Sequence, residues 1–304
     1  MFEAVVITIA TAATPLLIAA MGELVVERSG VLNLGVEGMM IMGAVTGFAV
    51  AQTTGSPWLG VFAAIAMGAA FSLLFAFLTL TLVTNQVATG LALTLLGLGL
   101  SGMIGEGFIG LPGVKMGTVY IPYLSDLPYV GRLVFGQDPI FYISLILTAG
   151  VAYFLFYTKA GLTLRSVGDN HGSAHALGIG VIRIRYLAVM FGGACAGLAG
   201  AFLALVYVPQ WVEGMSAGRG WIALALVVFA SWRPWRVLAG AYLFGAVSIG
   251  QLHAQALGWP IPSQLLSALP YLATIVVLVL ISRNRRLTMV NTPASLGRPF
   301  VPDR

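Results

Sequence analysis

Three polar clusters interrupt an otherwise apolar chain, and their side chains define the chemistry on offer. The first, GELVVERSGVLNLGVEGMM (22–40), holds Glu23, Glu27, Arg28, Asn33 and Glu37, with Gly22, Gly30, Gly35 and Gly38 interleaved. Carboxylates and an amide beside free helix ends are how discontinuous membrane helices face a solute pathway. The same residues also suit a turn at a membrane surface, with Asn33 capping the next helix and Glu37 in its positive first turn. The second cluster, TNQVATGLALT (84–94), offers Thr84, Asn85, Gln86, Thr89 and Thr94. Asn85 and Thr89 lie one helical turn apart, a neutral stripe able to hydrogen-bond a hydroxylated solute or to join helices. The third, KAGLTLRSVGDNHGSAHALGIGVIRIR (159–185), carries four of the fifteen Lys and Arg residues. There Asp169 or Asn170 can cap a short helix that Gly178 ends, with Ala174, Ala176, Leu177 and Ile179 as an apolar edge beside Arg165 and His175. An isolated helix that short is marginal, so the segment makes sense braced from behind and buried in a partner.

None of these groups points to bond-making chemistry. No GxxxxGK[ST] phosphate loop is present, and the only lysines are Lys115 and Lys159. A GxGxxG pattern at Gly97, Gly99 and Gly102 lies inside an uncharged run instead of between a strand and a helix, so close helix packing is its natural reading. His171 and His175 are one turn apart, but no third ligand is near them in sequence, so no metal or other cofactor is expected. Glu106 and Glu213 fall at the outer ends of apolar runs, as interfacial acids do. Cys195, the single cysteine, sits among glycines and alanines as a small packing residue.

The elements that must position these clusters are membrane helices. The chain is 59% hydrophobic and 8% charged, whereas a soluble domain carries about 25% charged residues. Uncharged runs at 4–22, 38–54, 58–83, 84–105, 139–158, 186–208, 237–254 and 265–282 have the length that a bilayer core of about 30 Å requires. They lack the alternation of barrel strands. This predicts an all-α polytopic membrane protein, one transmembrane domain over 1–304, with about 8–10 transmembrane segments including short or broken ones. The run 220–232 is too short to cross unaided and reads as a segment buried in protein. MFEAVVITIA lacks the basic start of a signal peptide, so 4–22 reads as a retained span. In GGACAGLAGA (192–201), Gly193-xxx-Gly197 and Ala196-xxx-Gly200 are a helix-packing signal.

Basic residues set the orientation. With 159–185 in the cytoplasm, twelve of the Lys and Arg residues fall inside, including Arg28, Arg233, Arg236 and the tail 283–304. Three, Lys115, Arg132 and Arg219, fall outside. The reverse topology inverts that ratio and is rejected. The net charge of +5 thus reports topology, and no nucleic-acid partner is implied. Residues 106–138, rich in Gly and Pro, become a long irregular external region suited to docking an outside partner or to passive connection.

In order and spacing, these blocks resemble bacterial ABC importer permeases of the branched-chain amino acid, ribose and nucleoside class, and most of all its nucleoside and simple-sugar branch. ERSGVLNLGVEGMMIMGA (27–44) resembles the N-terminal signature and TNQVATGLALTLLGLGL (84–100) the second block. GLTLRSVGDNHGSAHALGIGV (161–181) resembles the coupling loop, followed by FGGACAGLAGAFLAL (191–205) and MSAGRGWIALALVVFASWRPW (215–235). LPYLATIVVL (269–278) and PASLGRP (293–299) complete the likeness. The resemblance implies a permease subunit in the bacterial inner membrane without an ATPase site of its own. Two cytoplasmic ATP-binding subunits would grip a coupling helix at about 170–178, involving Arg165, Asp169, Asn170, His175, Ala176, Leu177 and Gly178. A second, different permease subunit would complete the membrane core, and a solute-binding protein or lipoprotein would dock outside. Asn33, Glu37, Asn85, Gln86, Thr89 and Thr94 are then the candidates for the pathway of a nucleoside or sugar. Relatives commonly hold Pro and Arg where this chain has His171 and Gly172, which removes a basic contact at the coupling helix. The competing reading, a transporter driven by an ion gradient, calls for acidic residues at mid-span and internal repeats. A structural or sensory subunit would need no polar pathway.

Overall fold

The structure, a computed structural model, describes residues 2–120, 122–123, 125, 131, 135–258, 262–282 and 291–301. Arg132, Arg283, Arg285, Arg286 and Arg304, which entered the charge count, lie outside the described residues. Eleven α-helices are described: α1 Phe2–Arg28, α2 Val36–Thr54, α3 Pro57–Ala76, α4 Gln86–Gly105, α5 Pro139–Tyr157, α6 Lys159–Asp169, α7 His171–Ala176, α8 Val181–Phe202, α9 Arg219–Phe229, α10 Pro234–Ala256 and α11 Ser263–Ser282. Short π-helical turns, Phe77–Thr81 and Leu203–Tyr207, prolong α3 and α8. Among the described residues six helices are long and apolar enough to cross a membrane, namely α1, α3, α4, α5, α8 and α10 with their extensions. The chain is an all-α polytopic membrane protein.

Local sequence starts the helices. Ser56, Asn85, Asp138 and Thr158 accept the backbone N–H groups of Leu59, Ala88, Phe141 and Gly161 with their side chains, satisfying donors that a helix start leaves free. Proline opens α3, α5 and α10, where its missing N–H costs nothing.

Helices α1, α2, α3 and α8 form the core, with α2 buried from Val36 through Val45. Lipid offers no hydrophobic drive between helices, so close backbone approach carries the association. A glycine seam provides it. A Cβ added at Gly68 of α3 would stand 2.1 Å from the carbonyl oxygen of Gly193 of α8, and one at Gly197 would stand 2.1 Å from that of Ala64. On the other flank of α8, Gly200 meets the carbonyl of Met40 in α2 in the same way, at 2.0 Å. The small-residue spacing at 192–201 is therefore a two-sided packing surface. Of the GxGxxG glycines, Gly97 lies backbone to backbone with Gly38, whereas Gly99 faces open space.

One end of the bundle gathers the end of α1, the starts of α4 and α8, the end of α9, helices α6 and α7, and residues 291–301. The opposite end gathers the end of α4, residues 106–120 and the stretch after α8. There Gly113 N–H donates to Pro209 O, and Met116 N–H to Leu205 O. Val119 N–H donates to Gln137 O, closing the neck of the region 106–138. After the 3-10 turn Glu106–Phe108, residues 109–120 are irregular.

Candidate functional site

The first polar cluster lies inside the bundle. After Arg28 the chain leaves the helix and runs beside the first half of α4, where the second cluster meets it. Leu32 N–H donates to Gln86 Oε1 (2.8 Å), and Thr94 Oγ1 donates to Leu34 O (3.1 Å). Asn33 Oδ1 accepts Gly35 N–H (2.9 Å), closing a turn, and Asn33 N–H donates to Glu23 Oε1 (3.3 Å). Gly35, not Asn33, holds the capping position of α2, and it makes no side-chain cap. Helix α2 therefore starts deep in the bundle. Gly38 touches Gly97, about 16 Å along α4 from Gln86 at 1.5 Å per residue.

At that depth α2 meets α9. Glu37 stands in the first turn of α2, buried, and its carboxylate caps a different helix. Oε1 accepts Ser216 Oγ–H (2.6 Å) and Gly218 N–H (2.7 Å), and Oε2 accepts Gly220 N–H (2.6 Å). These N–H groups lie at the N-terminus of α9, where the dipole favours an anion. Gly220 is required, since a Cβ there would lie 2.6 Å from Glu37 Cα. The far end of α9 is held as firmly. Ser231 and Trp232 adopt left-handed backbone (φ 51 and 53), which costs a non-glycine residue energy. Trp232 Nε1–H donates to Glu27 Oε2 (2.6 Å), and Arg28 Nη2–H to Trp232 O (3.0 Å). Residues 208–232 thus pass along the bundle as an irregular upper half and an 11-residue helical lower half. The short run expected at 220–232 is this half-helix.

The six candidate pathway residues divide. Asn33, Glu37, Gln86 and Thr94 are buried along the stretch where residues 32–38 run beside α4, and are bonded within the chain. Asn85 caps α4 and is exposed, while Thr89 is half-buried and shares a hydrogen bond with Thr84 (2.9 Å) on the open side of α4. The rest of that side, including Leu95 and Met103 at 70% and 68% exposed, is apolar. Glu106 and Glu213 are both exposed. Buried Glu23 and Glu27 each leave one carboxylate oxygen without a hydrogen-bond partner, a feature that sequence reading placed in a surface turn or an interrupted helix without distinguishing them.

The third cluster forms a helical elbow at the end of the bundle. Asn170 Oδ1 accepts Ser173 N–H (2.9 Å) and so caps α7. Gly178, at φ 80, stops it, with its N–H on His175 O (2.8 Å). Asp169 is the last residue of α6 and is exposed. Ala174 turns inward against Val167 and Val181, while His175, Ala176, Gly178 and, at 81%, Leu177 are exposed. Arg165 is half-buried, its guanidinium 5.1 Å from the centre of the Phe156 ring.

Sequence reading counted Arg185 only as a charge, yet it is fully buried behind this elbow. Its Nε–H donates to Ser29 O (3.2 Å), Nη1–H to Arg298 O (3.3 Å) and Nη2–H to His171 Nδ1 (3.1 Å). Burial, with Arg185 and Arg298 nearby, holds the His171 imidazole below its ordinary range, which keeps Nδ1 an acceptor. No sequence signal marks Arg185 beyond its place four residues into an apolar helix.

Between α1, α5, α6 and α8 lies a cavity of about 610 Å³ lined by Val25, Leu147, Val151, Phe154, Leu164 and Phe191, among others. Its walls are apolar and suit hydrocarbon, not a hydroxylated solute.

Three comparisons bear on this arrangement. The family model for the permease component of the branched-chain amino acid transport system matches residues 5–281. A putative glucose ABC transporter permease protein of Haloferax volcanii is 45% identical over 289 residues, covering 88% of each chain. A guanosine ABC transporter permease protein of Bacillus subtilis is 34% identical, over 95% of this chain and 93% of its own. A nucleoside ABC transporter permease protein of Lactococcus lactis is 32% identical, over 88% of each chain. No solved structure matches. With a match that runs through the broken α1–α2 junction, the capped elbow and the half-helix α9 alike, the chain belongs to the family of permease components of the branched-chain amino acid transport system.

Proposed function

We propose that this chain is one half of the membrane core of an ATP-driven importer for a nucleoside or a simple sugar. The carrying observation is that a capped helix, α7, stands out from the bundle with an exposed apolar Leu177 in a chain matched to the permease family over residues 5–281. An apolar tip beside Arg165 suits a groove in another protein, and the relatives named as ABC transporter permeases support ATP-binding subunits as that protein. ATP hydrolysis belongs to them, and residues 159–185 face the cytoplasm with the tail 283–304. Arg165, Asp169, Asn170, His175, Ala176, Leu177 and Gly178 form or shape the contact.

The region 106–138 faces outward and receives a solute-binding protein or lipoprotein. The exposed side of α4 meets a second permease subunit, and the solute moves between the two. Asn85 and Thr89 are the pathway groups open to it, with Asn33, Glu37, Gln86 and Thr94 forming the layer behind. Neutral amides and hydroxyls suit a nucleoside or sugar, the solutes that the relatives' names give. The assembly sits in the cytoplasmic membrane. The same relatives support this reading and lend nothing to an ion-gradient carrier.

The test is uptake of guanosine and of glucose into vesicles holding the assembled transporter. Leu177→Asp combined with Arg165→Ala leaves the chain inserted and ATP hydrolysis running, while uptake falls by about tenfold or more. Normal uptake with both changed overturns the reading.

A further inference from the structure

Residues 291–301 lie against two parts of the chain at once, the α1–α2 junction and the elbow. Ser295 N–H donates to Gly168 O (2.9 Å), at the end of α6, and Gly297 N–H donates to Gly30 O (3.1 Å), at the start of the junction. Ser295 Oγ reaches Asp169 O (3.3 Å). The Phe300 ring sits between the rings of His171 and His175, at 5.2 and 5.4 Å between centres, and joins the small core of Val167, Ala174 and Val181 beneath α7. Arg185 binds the three pieces to one guanidinium: Ser29 of the junction, Arg298 of this segment and His171 of α7. Its three acceptors are two backbone carbonyls and an imidazole. A buried guanidinium with five donors in a fixed fork loses much when any acceptor departs. It therefore holds the three pieces in a single relative position.

We propose that Arg185 is a positioning residue for energy coupling, and that residues 291–301 are the tether through which α7 pulls on the α1–α2 junction. Apart from the tether, α7 reaches the junction through Arg185, which bonds both His171 and Ser29, and through the close backbone approach of Gly168, at the end of α6, to Arg28 and Gly30. With the tether, a displacement of α7 is carried through Phe300, Ser295 and Gly297 to Gly30, and so toward Glu37 and the buried start of α2. The proposal rests on the coupling role given to α7 above, and goes beyond it by assigning the transmission to this C-terminal segment and a buried arginine.

The test uses the whole transporter in vesicles with guanosine and glucose as probes, and the variants Phe300→Ala, Ser295→Pro and Arg185→Lys. Phe300→Ala removes a half-buried ring from the small core beneath α7, apart from the main core of the bundle, so it preserves folding even where Arg185→Lys fails to. The expected result is ATP hydrolysis close to wild type with solute moved per ATP lowered by about tenfold or more. Amide exchange at residues 171–179 should rise by about tenfold in the same variants. Wild-type solute per ATP in Phe300→Ala and Ser295→Pro overturns the tether. Loss of the ATP-binding subunits from the assembly also overturns it, since the segment would then be a docking contact. A wild-type assembly that hydrolyses ATP but moves neither probe counts against the proposed function, whereas the exchange measurement needs neither ATP nor solute and still decides the tether.

Discussion

The two short helices, α7 and α9, are built in opposite ways. Helix α7 carries its own instructions: Asn170 caps it and Gly178 ends it. Most of it is exposed. Helix α9 has no side-chain cap of its own, and Gly218 precedes it in left-handed backbone. Its N-terminus is completed by Glu37, about 180 residues earlier, and its C-terminal turn by Glu27 and Arg28. A helix specified locally can face outward and meet a partner. One completed by distant groups is an inseparable part of the wall it belongs to.

Removing the distant cap should have the largest effect. Glu37→Ala leaves the Gly218 and Gly220 N–H groups and the buried Ser216 hydroxyl without their acceptor, at about 1–3 kcal/mol each, and the chain should fail to accumulate in the membrane or melt well below wild type in detergent. Glu37→Gln should recover only part of this, because its NH2 faces donors. Trp232→Phe keeps an aromatic ring, though a smaller one, and removes the indole N–H and its bond to Glu27, a loss of about 1–3 kcal/mol beyond that of the ring volume, visible as a lower melting temperature. Equal melting of Trp232→Phe and wild type would show that α9 does not depend on that clamp. Asn170→Ala removes a local cap worth about 1 kcal/mol, so α7 amides should exchange faster while the melting of the bundle is unchanged. A global loss of stability from Asn170→Ala would break the contrast between the helices.

The smallest effect is one of pH. The His171 value is held below its ordinary 6.5, so its contact with Arg185 is complete above that range and is lost as pH falls through the depressed value. Protection of the α7 amides, taken relative to their intrinsic exchange rate at each pH, should therefore fall on acidification in wild type and stay unchanged in His171→Asn.

The same contrast sets how much of the molecule could be read in advance. The elbow was legible because its signals are neighbours: Asn170, eight residues before Gly178, brackets an interval too short for a span. The short run at 220–232 was legible by length alone. What ends it was not, because no property of Glu37 reveals that its carboxylate serves another helix. Sequence offered two settings for 22–40, and choosing between them required knowing that α4 and α9 close over it. Arg185 was legible as a cation and illegible as a hub, since two of its three acceptors are backbone carbonyls, at residues 29 and 298, and carbonyls carry no sequence identity.

The glycine seam joining α3, α8 and α2 has a mechanical consequence. Where two backbones touch without intervening side chains, no rotamer change can absorb a displacement, so these three helices must travel as one solid body. The same kind of contact, Gly38 on Gly97 and Gly220 on Glu37, ties α4 and α9 to that body, so any opening and closing of a passage is confined to what lies outside it. A bulkier residue at Gly68, Gly193 or Gly197 would not slow such a gate but split the block on which it swings.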